Sequence, residues 1–225
     1  TVADMSSIHA DTVSIPAIVL SSAIRELPAL DSIYSAAAGL LESWDHDLKE
    51  DSSAAAIYGA SSRELNKQLA LAAYGSLAGG VTGEYVDAGA EDQLRRQLKP
   101  DFIRRLGEGS LGEAPYGFDT TALVSNAFKA GVDYLVDRLG DDASRWRWGD
   151  LHKTGHVHPL SGAFPEAADQ LNPPKVEASG DGDVPFASGS PTPAEFAIKT
   201  GPVNRYIHDP SNWSNGRWIV PLGSS

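Results

Sequence analysis

Residues 144–160, S-R-W-R-W-G-D-L-H-K-T-G-H-V-H-P-L, concentrate the side chains best able to do chemistry. They hold two tryptophans, two arginines and three of the six histidines. His156 and His158 stand two apart, so on a strand their imidazoles would project from one face, as strand-borne metal ligands do. His152 lies four residues before His156, but Gly155 interrupts any continuous element between them. A self-contained metal- or ligand-binding α+β domain built on His152, His156 and His158 would need a further ligand, which Asp150 or His208 could supply. The plainer use is as partly buried imidazoles bonded to backbone or carboxylate. Both readings stay open on the residues alone.

Other candidates are weaker. Asp181 and Asp183 supply half the carboxylates of a calcium loop, but the third acidic position and the closing glutamate are absent. That stretch reads as a glycine-rich turn. Asp45, Asp47, Glu50 and Asp51 could hold a divalent cation, yet they equally suit an exposed connection in which Asp51 or Ser52 caps the next helix. An N-terminal threonine can act as a nucleophile with its own amine as base. A helical pattern follows Thr1, so it reads as a chain boundary. Asn212-Trp213-Ser214 fits the glycosylation sequon. No G-x-S-x-G, phosphate loop, dinucleotide fingerprint or H-E-x-x-H is present. The residues alone assemble no complete catalytic set.

The elements that would carry these groups divide the chain in two: a helical region over 1–143 and a strand-and-loop region over 144–225. Met5, Ile8, Ile15, Ile18 and Val19 recur at helical spacing after a candidate cap at Asp4, with Pro16 marking a kink or break. Asp31 precedes a second pattern of Ile33, Ala37, Leu40, Leu41 and Trp44. Residues 51–75 are alanine-rich and favour helix. Two short helices are expected around Pro100. The clearest helix opens at Asp119 or Thr120 and closes before Gly140, with Leu123, Val124, Ala127, Phe128, Val132, Leu135 and Val136 along one face. Beyond Ser144, prolines and glycines break the chain into short apolar runs that predict strands, among them 145–152, 156–160, 204–209 and 217–222. The expected class is α+β. Both ends look cut, the first inside a helical pattern.

Composition sets outer limits. Hydrophobic residues make up 41% and charged residues 21%, as in a globular chain. A net charge of -12 repels phosphate backbones and anionic bilayers, so neither nucleic acid nor membrane is an expected partner. Without cysteine there is no disulfide, thiolate metal site or cysteine nucleophile. No apolar run reaches the roughly 20 residues of a membrane-spanning helix. The N-terminal stretch lacks the basic and apolar regions of a secretory signal.

Five stretches, in order, resemble the penicillin acylase family. D-M-S-S-I-H-A-D at 4–11 looks like a family helix with D-M-x-x-I-x-x-D, and 40–58 is similar to its L-x-x-W-D followed by D-S-x-A-A-x-I-Y. Trp146, Trp148, Gly149 and His152 match W-x-W-G-x-x-H, continued by His158, Pro159 and Leu160. Gly201, Pro202, Arg205, Ile207 and Asp209 match G-P-S-x-R-x-I-x-D, with Val203 in place of the serine. W-I-V-P-L-G-S-S at the end resembles the approach to a glycine- and serine-rich turn.

The resemblance implies an N-terminal-nucleophile amidohydrolase with a four-layer αββα fold. Its precursor is exported to the periplasm or beyond and cuts itself into α- and β-chains. A serine opening the β-chain attacks the amide of an N-acyl substrate, a β-lactam acyl side chain or an acyl-homoserine lactone. Backbone N–H groups and an asparagine hold the oxyanion. That serine and asparagine belong to segments upstream of these residues, and no catalytic residue is carried over. The chain corresponds to the C-terminal part of a β-chain, expected to be inert alone and to have the other α- and β-chain segments as partners. It has no expected cofactor of its own, although the parent enzyme could hold calcium. Trp146, Trp148 and His152 are expected to pack an outer sheet, and Arg205 to pair with a buried acid.

Overall fold

The computed structural model describes residues 1–28, 30–74, 99–189, 196–198, 200–201 and 204–219. Thr1 caps α1 (Val2–His9): its hydroxyl accepts from the Asp4 amide, and the Asp4 carboxylate accepts in return from the terminal amine. Asp4 is therefore the third helical residue of a capping box and not the cap. The single pattern expected through Pro16 is two helices. Ser14 caps α2 (Ile15–Arg25), and Pro16 sits in its first turn, where a missing N–H costs nothing. Met5, Ile8, Ile15 and Ile18, which recur at helical spacing, are exposed. The residues of α2 that enter the core are Ala17, Leu20, Ser21 and Ile24.

Asp31 stands at the N-cap position of α3 (Ser32–Glu42) without a side-chain cap bond. Ser52 caps α4 (Ser53–Tyr74), its Oγ accepting from the Ala55 amide at 3.1 Å. Helical residues 99–107 form α5, with Pro100 in the first described turn; the helix expected before it lies outside the described residues. Asp119 caps α6 (Thr120–Leu139), and Gly140 ends it at φ +89°. Val124, Ala127, Phe128, Val132 and Leu135 are buried as the pattern requires.

The most extensive helix pair is α4 with α6. Its closeness comes from small residues: a Cβ on Gly131 would lie 2.7 Å from the Ser61 nitrogen and 2.9 Å from the Ala60 carbonyl carbon. Ala54, Ala55, Ala56 and Ala60 are buried on α4 for the same reason.

The second region holds far less strand than its sequence predicts. Residues 148–151 form a single helical turn, α7 (Trp148–Leu151), and 159–162 a 3-10 turn. A short α8 (Ala168–Leu171) follows. Between them run isolated bridges: Lys153 with Glu177, Thr154 with Ile198, and Gly189 with Thr200. The described residues form one two-stranded antiparallel sheet, β1 (Arg205–Ile207) against β2 (Arg217–Ile219), with Tyr206 opposite Trp218. The other described apolar runs, interrupted by prolines and glycines, pair only through such single bridges. The molecule is thus a helix-rich α+β structure.

Candidate functional site

Trp146, Trp148 and His152 are buried, and they pack on helices rather than on a sheet. The Trp146 indole donates to the Gly140 carbonyl at 2.8 Å, so the chain end of α6 is tied to the motif that follows it. The Trp148 indole donates to the Gly180 carbonyl at 2.9 Å. Its ring leaves no room for a side chain at Gly59 of α4, where a Cβ would lie 2.5 Å from Trp148 Cζ3. Gly149 is equally confined: its amide donates to the Glu50 carbonyl at 2.7 Å, and a Cβ would meet Glu177 Oε2 at 2.9 Å. The spacing W-x-W-G therefore wedges two indoles into a helical core and threads a glycine between two chain segments.

The 44–52 connection, read as an exposed linker or cation site, is a buttress. Leu48 is fully buried, and its carbonyl accepts from the Gly180 amide at 2.7 Å. The Ser52 carbonyl accepts from the Trp148 amide. Asp47 bonds Thr12 and Lys49, and the Asp45 carboxylate accepts from the Asp47 amide. Ser179 Oγ bonds the Glu50 carboxylate and holds it below the usual glutamate range. The acidic spacing alone did not reveal this role; the buried Leu48 among acids was the available signal.

His152 lies flat against Trp148, ring centroids 4.6 Å apart and planes 17° from parallel. Its Nδ1 is 2.8 Å from the Phe196 carbonyl oxygen, which can only accept, so Nδ1 carries the proton. Nε2 is 3.0 Å from Ser188 Oγ, and that hydroxyl is also 2.9 Å from the Ser179 carbonyl. A serine, an imidazole and an orienting carbonyl in line have the form of a nucleophile and its base. Two features oppose that use. The single Ser188 proton serves two acceptors, and burial pushes the His152 pKa down to about 4, despite its bond to Phe196, which makes a weak base at neutral pH. The arrangement instead fastens Ser179, Ser188 and Phe196 to the end of α7.

The three histidines are not brought together. His158 Nδ1 accepts from the Leu160 amide at 3.2 Å and caps the 3-10 turn, while its own amide donates to Asn172. His156 lies in the irregular chain between them, so the shared strand face does not exist. Among the described residues no three His, Asp or Glu side chains converge as a side-chain metal site requires. The Asp181–Asp183 stretch is a turn: the Asp183 amide donates to Asp181 Oδ1 at 2.7 Å, and the Asp183 carboxylate pairs with Lys99.

Arg205 has a different partner from the acid expected. Its Nη1 donates to the His9 carbonyl at 3.0 Å, and the guanidinium lies 4.2 Å over the Phe186 ring. It therefore ties β1 to α1. Asp209 organises the loop after β1. Its carboxylate accepts from the Ser211 amide and hydroxyl, the Asn212 amide and the Asn215 side chain, which together hold its pKa down at about 2. Gly201 is exposed; Pro202 and Val203 lie outside the described residues.

A cleft of about 690 Å³ opens between α2, α4, α5 and residues 181–183, 187–189, 196 and 200–201. Tyr58, Arg63, Lys99, Asp183, Trp148 and Phe196 line it. Tyr58 closes the 40–58 stretch but was given no role from sequence, and Arg63 and Lys99 were missed because nothing in their spacing marks them. Burial pushes the Tyr58 phenol up to about 12. For Lys99, burial works against the ammonium, yet Tyr58, Asp183 and Asp181 hold its pKa above the usual lysine value. Arg63 is paired with Glu64 at 2.9 Å and lies 3.9 Å over the Tyr134 ring. These cations are therefore engaged within the protein, and among the described residues the cleft presents no assembled nucleophile, base and oxyanion donor.

The sequence model of the penicillin amidase family matches residues 1–225. The chain belongs to that family. It is 29% identical to the penicillin acylase 2 proenzyme of Pseudomonas sp. (strain SE83), over 99% of this chain and 27% of that proenzyme. It is also 29% identical to the acyl-homoserine lactone acylase QuiP of Pseudomonas aeruginosa, over 60% of this chain and 16% of the relative. The chain thus spans about a quarter or less of the length of these curated relatives. The tryptophan-rich motif of a penicillin amidase is, in this structure, a packing device.

Proposed function

We propose that this chain is a structural segment of an acylase-type amidohydrolase, whose attacking serine and oxyanion asparagine come from other segments of the same precursor. The observation that carries the reading is the internal engagement of the family-motif side chains Trp146, Trp148, His152, Arg205 and Asp209. The Trp146 and Trp148 indoles, the His152 imidazole and Arg205 all bond backbone carbonyls of this chain, and Asp209 accepts from its own loop. None is aimed at a reacting group. The described residues contribute a helical layer, a short sheet and the wall of a cleft, to be completed as a four-layer αββα fold. The substrates are N-acyl compounds, β-lactam acyl derivatives or acyl-homoserine lactones, and the parent protein works in the periplasm or outside the cell. Any calcium it holds is bound by other segments.

Turnover of phenylacetyl-amide and acyl-homoserine-lactone reporters tests the reading. The purified chain is expected to be inert and the whole protein active. Turnover by the purified chain, or none by the whole protein on either class, defeats it.

A further inference from the structure

One stripe of α4 reaches the cleft with hydrogen-bonding groups unspent. Gly59, Ser62, Arg63 and Asn66 recur at i, i+3, i+4 and i+7, so they share a helical face, and all four line the cleft. The Trp148 ring fills the space above Gly59. Ser62 is 7% exposed, and among the described residues neither its hydroxyl nor the Asn66 carboxamide has a hydrogen-bond partner. Arg63 spends only one side of its fork. Its Nε and Nη2 donate to Glu64 Oε1 at 3.2 and 2.9 Å, and among the described residues Nη1 donates to nothing. The guanidinium lies 3.9 Å over the Tyr134 ring and 4.9 Å over Phe196, which hold its plane. A fork fixed in this way takes a second acceptor at little ordering cost.

Charge selects that acceptor. Glu64 pairs with Arg63 and also with Lys67, 3.7 Å from its other oxygen, so one carboxylate faces two cations. Elsewhere in the cleft Lys99 pairs with Asp183, and Asp181 lines the same space. A positive charge is thus in surplus around Arg63 and nowhere else in the described lining. One negative charge matches that surplus. A dianion such as phosphate would exceed it and meet repulsion from Glu64, Asp181 and Asp183. The planar fork suits a carboxylate, with the Ser62 hydroxyl and Asn66 amide as neighbouring donors. The lining also holds apolar surface: the Trp148 and Phe196 rings, edge to face with centroids 5.5 Å apart, and Ile103 of α5. The volume is that of a small-molecule site. We propose that the cleft binds a small amphiphilic monocarboxylate, its charge on Arg63, Ser62 and Asn66 and its aryl or alkyl body against Trp148, Phe196 and Ile103. The site does not depend on the parent protein being an acylase.

The test uses the whole protein and 4-(trifluoromethyl)benzoate, followed by fluorine NMR. Saturable binding is expected with a Kd of about 0.1–1 mM, the range open to a ligand of this size. The matching benzamide has the same shape without the charge and should bind at least about tenfold more weakly. Arg63→Met keeps an apolar stem against the rings and removes the fork, so it should weaken the acid at least about tenfold. Absence of saturable binding, equal affinity for the amide, or an unchanged Kd in Arg63→Met overturns the proposal. Should Arg63→Met fail to fold, the double variant Ser62→Ala, Asn66→Ala decides: a loss of at least about fivefold is expected, and an unchanged Kd again overturns it. Reporter turnover on the same samples separates the two claims. An inactive protein that binds the acid discards the acylase reading and keeps the site; an active protein that does not bind it discards the site alone.

Discussion

At the residue scale, His152 carries the clearest consequence. Its pKa of about 4 in the fold lies below the 6.5 of an unperturbed imidazole, with burial as the main cause. Between those values an unfolded chain binds a proton that the folded chain does not. Stability is therefore full above about pH 6.5 and falls as pH drops towards 4, by on the order of 3 kcal/mol for this one group. Denaturant unfolding from pH 7 to 4 checks it: His152→Gln should flatten the profile over that window, and an unchanged slope would contradict a neutral buried imidazole. Neighbouring residues have related roles. Asp209, Trp146 and Trp148 are conspicuous in sequence because their types are distinctive. Their partners are carbonyls and amides, which every residue has, so the spacing could flag these positions without saying what they touch.

At the element scale, two glycines separate local from tertiary demands. Gly39 of α3 is exposed, and a methyl added there would meet nothing within 4 Å. Gly39→Ala should raise stability by about 0.5–1 kcal/mol through helix propensity. Gly131→Ala gains the same propensity but drives a methyl into the backbone of α4. A net loss of about 1–3 kcal/mol is expected, read as a lowered thermal midpoint. The cap at Asp119, the stop at Gly140 and the buried face of α6 were readable because they depend on neighbours within a few residues. The strands expected at 145–152 and 156–160 were not. A short apolar run fits a helical turn or a strand equally, and here the pull of Trp148 into the α4 core decides for the turn.

At the scale of the whole molecule, exposed apolar groups gather on the hairpin and on α1 and α2, where Ile15 is 72% exposed. A chain that buries these groups against other segments should behave differently apart from them. The isolated chain is expected to bind an apolar fluorescent dye strongly, and the whole protein at least about fivefold less per mole, by the usual link between exposed patches and association. Equal binding would mean that these surfaces face solvent in the complete protein.

The amino-acid order by itself determined the helical first region, the cap at Asp119 and the stop at Gly140, the strongly acidic composition and the five stretches that mark the penicillin amidase family. All of these depend on residue type and short spacing. Tertiary structure alone decided that His152 stands apart from His156 and His158, that Arg205 holds a carbonyl instead of an acid, and that an acidic linker anchors through the buried Leu48. Those outcomes depend on which backbone groups arrive from distant positions, such as 180 against 48 and 196 against 152. Hydrogen-bonding and packing partners far apart in the chain leave no period or motif to read.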